Sequence, residues 1–382
     1  MTPIFDSKLP NTGTTIFTEM GALAKKYNAV NLSQGFPDFG CSEKLTDALT
    51  EAMLNGHNQY APMQGILPLR ETIAQKTLKL YGRNYSPETE ITVVPGATIA
   101  IFTIITATIQ KGDEVIVIEP AYDCYVPAIE LCGGIAVYSS LVYPEFKVNW
   151  DEIESLISSK TKMIIINSPQ NPGTSVFSAD DLDNLARLTR NTNILVLSDE
   201  VYEHMIFDGL KHQSVALSEE LSERSYIVSS FGKTYHVTGW KTGYVIAPAS
   251  MTSEFRKVYQ YNAFCSFAPA QWAFNTMLQD ETSYLHVSAF YEAKRDKMVS
   301  LLSESRFNIL PSKGSYFQLL DYSKITIEQD YAFAKRLIIE HQIATIPLSS
   351  FYHDKTDNKL LRICFAKEDV TLTKAAEILN SL

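Results

Sequence analysis

Short apolar runs alternate along this chain with longer stretches of helical period. Runs at 91–94, 114–118, 135–139, 163–167, 194–198, 226–229 and 244–247 are mostly rich in Val and Ile and close on Pro, Gly, Asp or Ser. Short runs of this kind, apolar on both faces, predict the strands of a mostly parallel sheet buried on both sides. Residues 42–284 therefore read as a large α/β domain with a mostly parallel seven-stranded sheet flanked by helices. A helical stretch around 291–305 follows, then short strands around 316–320 and 361–365 with a helix between them. That pattern predicts a smaller α+β domain, 285–382, joined by the N-terminal segment 1–41.

Residues 91–110 carry no charge, which is the length of a membrane span. Pro95-Gly96 interrupts the run, and five threonines and Gln110 dilute it. It reads as a buried strand, a turn and a buried helix.

Composition narrows the function classes. The 382 residues are 45% hydrophobic and 20% charged, which is ordinary globular composition. A net charge of −10 without a basic run argues against nucleic acid and against an anionic membrane surface. Cys41, Cys124, Cys132, Cys265 and Cys364 form no Cys-x-x-Cys pair and fit a reducing cytoplasm. The seven histidines show no metal spacing, so no metal site is expected, and His204 and His236 read as packing or hydrogen-bonding residues. Met1 to Pro10 carries Asp6 and no apolar run, so it does not read as an export leader.

The polar residues with chemical promise sit just beyond predicted strands, where open α/β sheets bind ligands. They are Tyr122 after 114–118, Asn171 after 163–167, Asp199 and Tyr202 after 194–198, and Ser230 and Lys233 after 226–229. Each alone reads more readily as a turn former or helix cap. Together they offer an amine for a Schiff base, a carboxylate for a ring nitrogen and donors for a phenolic oxygen. Gly96-Ala97-Thr98 opens a predicted helix, whose free N–H groups suit a phosphate. That combination suits pyridoxal phosphate.

These segments resemble the class I/II aminotransferases of fold type I. The resemblance rests on Ser229-Ser230-Phe-Gly-Lys233-Thr-Tyr-His-Val-Thr-Gly239-Trp-Lys241, Asn171-Pro172, Asp199-Glu-Val-Tyr202 and Leu361-Arg362-Ile-Cys-Phe-Ala. Leu32-Ser-Gln-Gly35-Phe-Pro-Asp and Asn58-Gln-Tyr60-Ala-Pro resemble the branch of kynurenine–oxoglutarate and bacterial methionine aminotransferases. The resemblance implies an aspartate-aminotransferase-like fold and a homodimer with shared active sites. Lys233 would carry the cofactor and then move the proton between substrate Cα and cofactor. Asp199 would pair with the pyridine nitrogen, Tyr202 and Asn171 would donate to the phenolic oxygen, and Tyr122 would stack on the ring. Ala97, Thr98, Ser230 and Lys241 would hold the phosphate, with Tyr60 reaching it from the other subunit. Arg362 would clamp the substrate carboxylate, with Gly35 and Phe17 beside it. Two departures from the wider family are Lys241, where most members carry arginine, and the order Gly173-Thr174, elsewhere Thr-Gly.

Rival readings are weaker. Ser230-x-x-Lys233 and Lys241-Thr-Gly243 match motifs of penicillin-binding proteins, but they lie too close together. Gly232-Lys-Thr looks like a P-loop tail, but Ile227 stands where glycine is required. A regulator with this domain would carry a DNA-binding module, for which there is no room before Leu9. A cysteine-S-conjugate β-lyase on the same fold would share the lysine, aspartate and arginine, so it stays as the alternative. For the substrate, the stretch Tyr259-Gln-Tyr261-Asn-Ala-Phe264-Cys-Ser-Phe267 lacks the second arginine of dicarboxylate-specific relatives. Its aromatics and Phe17 favour methionine, phenylalanine, tyrosine or kynurenine over aspartate as donor, if they line the pocket.

Overall fold

The computed structural model describes residues 6–10 and 12–382. Met1 to Phe5, part of the segment read as lacking an export leader, lies outside the described residues. In chain order the strands are β1 (Val30–Asn31), β2 (Ile91–Val94), β3 (Glu114–Glu119), β4 (Ile135–Ser140), β5 (Thr161–Asn167), β6 (Leu195–Asp199), β7 (Ser225–Ser230), β8 (Gly243–Ile246), β9 (Asn308–Ile309), β10 (Phe317–Asp321), β11 (Ile343–Ala344), β12 (Ile346–Pro347) and β13 (Leu360–Cys364).

Strands β2 to β8 form one sheet in the order β2-β8-β7-β6-β5-β3-β4. All are parallel except β8, which runs against both neighbours. Alternate residues feed two apolar clusters, one on each face. Ile116, Ile164, Ile166, Val196 and Ile227 join the first, and Val115, Val117, Ile165, Leu197 and Val228 the second. Burial on both faces is why the runs read as continuously apolar. Cutting one such isoleucine back to alanine costs about 2–5 kcal/mol.

The uncharged stretch resolves into β2, a turn and the helix Ala97–Thr108, which packs against the helix Ala249–Asn262. Among the described residues no helix is long and apolar enough to cross a membrane. The helix Ala179–Thr189 starts with a capping box: Ser178 Oγ accepts from the Asp181 N–H, and the Asp181 carboxylate accepts from the Ser178 N–H. That cap is worth about 1 kcal/mol.

A second, antiparallel sheet has the order β12-β13-β10-β9. β1 pairs in parallel with β11, Val30 opposite Ile343, which brings the N-terminal segment against the C-terminal part of the chain. Two strands were expected in this region. β9, β11 and β12 are two residues each, too short to leave a periodic signal. Boundaries also move: Asp199 closes β6 and Ser230 closes β7, where both were expected just beyond, and the helix expected at 291–305 is Val287–Leu301. β3 pairs with both β4 and β5, so the winding reverses between them. Ligands in open α/β sheets bind outside the carboxyl edge at such a point.

Candidate active site

Each loop on the carboxyl edge of the large sheet delivers a different chemical group. β3 leads to Tyr122, β5 to Asn171, β6 to Asp199 and Tyr202, β7 to Ser230 and Lys233, and β2 to Gly96, Ala97 and Thr98. Because β8 is antiparallel, Lys241, two residues ahead of it, reaches the same edge. The small sheet adds Arg362 from β13 and Phe317 from β10, the loop after β1 adds Gly35, and the helix Ile16–Lys26 adds Phe17. All of these line one cleft of about 240 Å³.

Asp199 is 4% exposed. Its carboxylate accepts from Tyr125 Oη at 2.6 Å and from the Val201 N–H at 3.3 Å. Neither donor is a cation, and burial pushes the group up to about 6 against the pull of those bonds. The bond to Val201 is a local turn bond, but no helix starts here, so Asp199 is not a helix cap. A protonated ring nitrogen is the kind of donor this carboxylate lacks.

Lys233 sits on the short helix Phe231–Thr234. Its amine donates to Tyr316 Oη at 2.9 Å and lies 5.6 Å from the centroid of the Tyr202 ring. Burial lowers it to about 8. About a tenth of it is then neutral at pH 7, enough for an amine that must attack or take up a proton.

Arg362 is almost wholly buried. Nη1 donates to Asn171 Oδ1 at 2.7 Å and Nη2 to the Ser33 carbonyl at 3.1 Å. Its guanidinium carbon lies 3.9 Å from the centroid of Phe317 and 5.2 Å from those of Phe17 and Phe351. Burial lowers it to about 10, which leaves it charged at neutral pH. Nε is buried without a partner, a donor open to an anion.

A second anion site lies at the start of the helix Ala97–Thr108. The first N–H groups of a helix have no partner within it, and the helix dipole favours negative charge there. Gly96 adopts φ +85°, and a Cβ at that position would sit 3.4 Å from Lys241 Nζ. Glycine there lets the lysine amine lie against the helix start. Lys241 itself adopts φ +49°. The cleft thus suits a flat ligand with an anionic group at one end and a separate carboxylate beside Arg362.

Of the residues given a role toward cofactor or substrate, Tyr60 alone is outside the cleft, at 84% exposed with its ring edge-on to Phe264 at 5.4 Å. The aromatics of the stretch 259–267 do not line this cleft either. Tyr259 is core, donating to the Val93 carbonyl at 3.1 Å, while Tyr261, Phe264 and Phe267 open to the surface. The aromatic walls are Phe17, Phe36, Tyr122, Tyr202 and Phe317. Gly35 was expected to let substrate approach. In the fold its missing side chain makes room for Phe317, whose ring would lie 2.8 Å from a Cβ. At 173–174 a Cβ on Gly173 would meet Gln170 Oε1 at 2.7 Å, and Thr174 takes φ +62°. The swapped order therefore keeps the loop by letting a threonine hold the left-handed turn. His236 packs among Phe39, Phe290 and Tyr291, and His204 against Tyr284.

Four residues of the site were not singled out from sequence: Tyr125, Tyr316, Asn167 and Phe317. Asn167 Nδ2 donates to the Asp199 carbonyl at 2.8 Å, and its Oδ1 accepts from the Asn171 N–H at 2.8 Å. Being the polar end of an otherwise apolar strand was its one clue. The two tyrosines and Phe317 look like ordinary core aromatics until the fold sets them beside Asp199, Lys233 and Arg362.

The model of the family "aminotransferase class I and II" matches residues 27–379. The methionine aminotransferase of Escherichia coli is 49% identical over 98% of both chains. The kynurenine–oxoglutarate transaminase of Dictyostelium discoideum is 32% identical, over 97% of this chain and 94% of that one. A solved E. coli structure, reported with a methionine aminotransferase function, matches with TM-score 0.97, 48% identity and full coverage of both chains.

Proposed function

The chain belongs to the class I and II aminotransferases, and from that premise we propose that it passes the amino group of methionine or an aromatic amino acid, kynurenine among them, to a 2-oxo acid with pyridoxal phosphate as cofactor. The observation that carries the cofactor is Asp199, a buried carboxylate with no cationic hydrogen-bond partner, in the same cleft as a lysine lowered to about 8. The donor set fits the group. Asp199 would pair with the pyridine nitrogen, Tyr122 would stack on the ring, and Tyr202 and Asn171 would donate to the phenolic oxygen. Arg362 occupies Asn171 Oδ1, which leaves Nδ2 as the donor. Ser230, Lys241 and the N–H groups of Ala97 and Thr98 would hold the phosphate. When bound, the cofactor supplies an aldehyde that captures amines and a ring that takes up electrons released at the substrate Cα.

The chain's own groups do the rest. Arg362 holds the substrate carboxylate, and its aromatic neighbours keep water from the guanidinium. Lys233, partly neutral, would take the proton from the substrate Cα and, as an ammonium, give it up to the carbon that comes to bear the amine. The relatives reported above are transaminases, and the β-lyase alternative is not taken further. The large unit would be residues 42–284, with 285–382 and the N-terminal segment 1–41 as the smaller one. The five free cysteines suit a cytoplasmic enzyme.

Donor preference follows from the walls. Arg362 is the arginine that lines the cleft, and its carboxylate partner is the one at Cα. A side-chain carboxylate would be buried against Phe17, Phe36 and Phe317 unpaired, at a cost of several kcal/mol. A thioether gains about 0.3–1.5 kcal/mol per aromatic contact. With a common oxo-acid acceptor, kcat/KM for methionine should exceed that for aspartate by about a hundredfold. Aspartate as good as methionine would overturn the pocket argument and leave the transaminase in place.

Tyr60, exposed on its own chain, would complete the phosphate site of a second copy in a homodimer. Tyr60→Phe should then weaken cofactor retention. Mixed with Lys233→Ala, it should yield hybrids with one intact site and one doubly defective site, and so regain activity. An active monomer in sedimentation would refute the shared site.

A further inference from the structure

We propose that Tyr316 is a positioning residue for Lys233: its hydroxyl holds the free amine and ties it to Gly35 in the loop beside the substrate. The inference rests on the reading of Lys233 as the reacting amine. Tyr316 is fully buried, one residue ahead of β10. Its Oη donates to the Gly35 carbonyl and accepts from Lys233 Nζ at 2.9 Å. A phenol has one proton. With that proton committed to Gly35, only lone pairs are left to face the amine, so the geometry of the pair is defined.

The chain is built to place this hydroxyl. A side chain at Gly314 would lie 2.7 Å from Pro169, 2.8 Å from Val176 and 2.9 Å from the Met205 carbonyl. Ser315 adopts φ +67°, a backbone conformation that costs a side-chain-bearing residue energy, and its N–H donates to Met205 at 2.9 Å. The ring of Tyr316 is then held edge-on against Tyr202, at 5.2 Å and 81°, and against Phe317 at 4.9 Å. On the far side, the loop is gripped by two more side chains: Arg362 on the Ser33 carbonyl and Lys367 Nζ on the Phe36 carbonyl at 2.7 Å. Tyr316 is where this grip on the substrate-side loop meets the amine.

The other groups facing Lys233 are Tyr202, Asp199, Lys241, Arg362 and Cys364. None of the five accepts a hydrogen bond from its amine, which has a second, longer contact of 3.5 Å to the Gly35 carbonyl. An acceptor on an amine favours the ammonium form, so losing Tyr316 Oη shifts the titration of Lys233 to lower pH and leaves the freed amine that one long contact.

The test is Tyr316→Phe, which keeps the ring and its packing. Apoenzyme is mixed with pyridoxal phosphate across pH, and the growth of visible absorbance is followed. In the wild type the capture rate rises with pH as the amine loses its proton. In the variant the midpoint should move down by about half a unit or more. In the loaded enzyme kcat for methionine should fall about tenfold with KM within about threefold, because the lost contact serves the proton transfer. An unchanged midpoint with unchanged kcat, or a loss confined to KM, overturns the inference. A crystal structure of wild-type apoenzyme gives a check that needs no variant: Lys233 Nζ beyond about 3.5 Å from Tyr316 Oη overturns it as well. A wild type that never captures the cofactor overturns the functional reading and this inference together, whereas a normal wild type beside an indistinguishable variant overturns the inference alone.

Discussion

Lys233→Ala should lower transamination by about 10⁴-fold or more while the fold stays intact. The amine is the nucleophile that would carry the cofactor and the base that would move the Cα proton, so both steps lose their agent. Stability should change little. The amine is buried, and burial already disfavours its charge, so its removal relieves a desolvation cost. Tyr316 keeps its bond to the Gly35 carbonyl, and no buried donor is orphaned. The measurement is threefold: turnover with methionine, the visible absorbance of the loaded protein, and thermal unfolding. Near-normal turnover with an intact absorbance band would end the assignment of Lys233. A collapsed Tm would mean that the residue is structural.

Asp199→Asn should bind cofactor yet lose about 10³-fold in kcat and kcat/KM alike. An amide is nearly isosteric: its one oxygen can keep the bond from the Val201 N–H, and its NH2, in place of the oxygen that faced Tyr125, can donate to that hydroxyl, so the turn after β6 should hold. What it cannot do is keep a ring nitrogen protonated, and the electrons released at Cα then have no sink. The carboxyl stands at about 6 without a cationic hydrogen-bond partner, and such a partner draws it lower, so near pH 7 it is ionised and ready to pair. In the loaded wild type the rate should therefore hold through pH 6 and fall only at lower pH, as this group takes up a proton, and the asparagine variant should show no such loss. A drop under tenfold, about 1.4 kcal/mol, would make Asp199 a turn residue and nothing more.

The strands of the large sheet were legible because burial on both faces writes a run of Val and Ile that needs no partner to be recognised. The reactive loops were legible for a related reason: Lys233, Asp199 and Asn171 are polar groups placed at the ends of such runs. Asp199 and Ser230 were set one residue too far along, since a terminal polar residue can still belong to the ladder. The stretch 259–267 misled because aromatic spacing says nothing about direction. Tyr259 turns into the core, and Tyr261 turns out to solvent.

Local pattern was thus enough for the fold class, for the order of the strands along the chain and for most of the polar groups that meet in the cleft, because each depends on residues close in sequence. The placing of those groups against one another depends on contacts between residues far apart in the sequence. Lys241 precedes its strand, and only the antiparallel course of β8 brings it to the carboxyl edge. Tyr316 and Lys233 are 83 residues apart, and Arg362 and Asn171 are 191 apart. Their pairing is set by how the small sheet packs over the large one. Buried tyrosines, a lone phenylalanine and a glycine without neighbours are silent in a sequence, because a hydroxyl or a missing side chain acquires meaning only from the atom packed beside it.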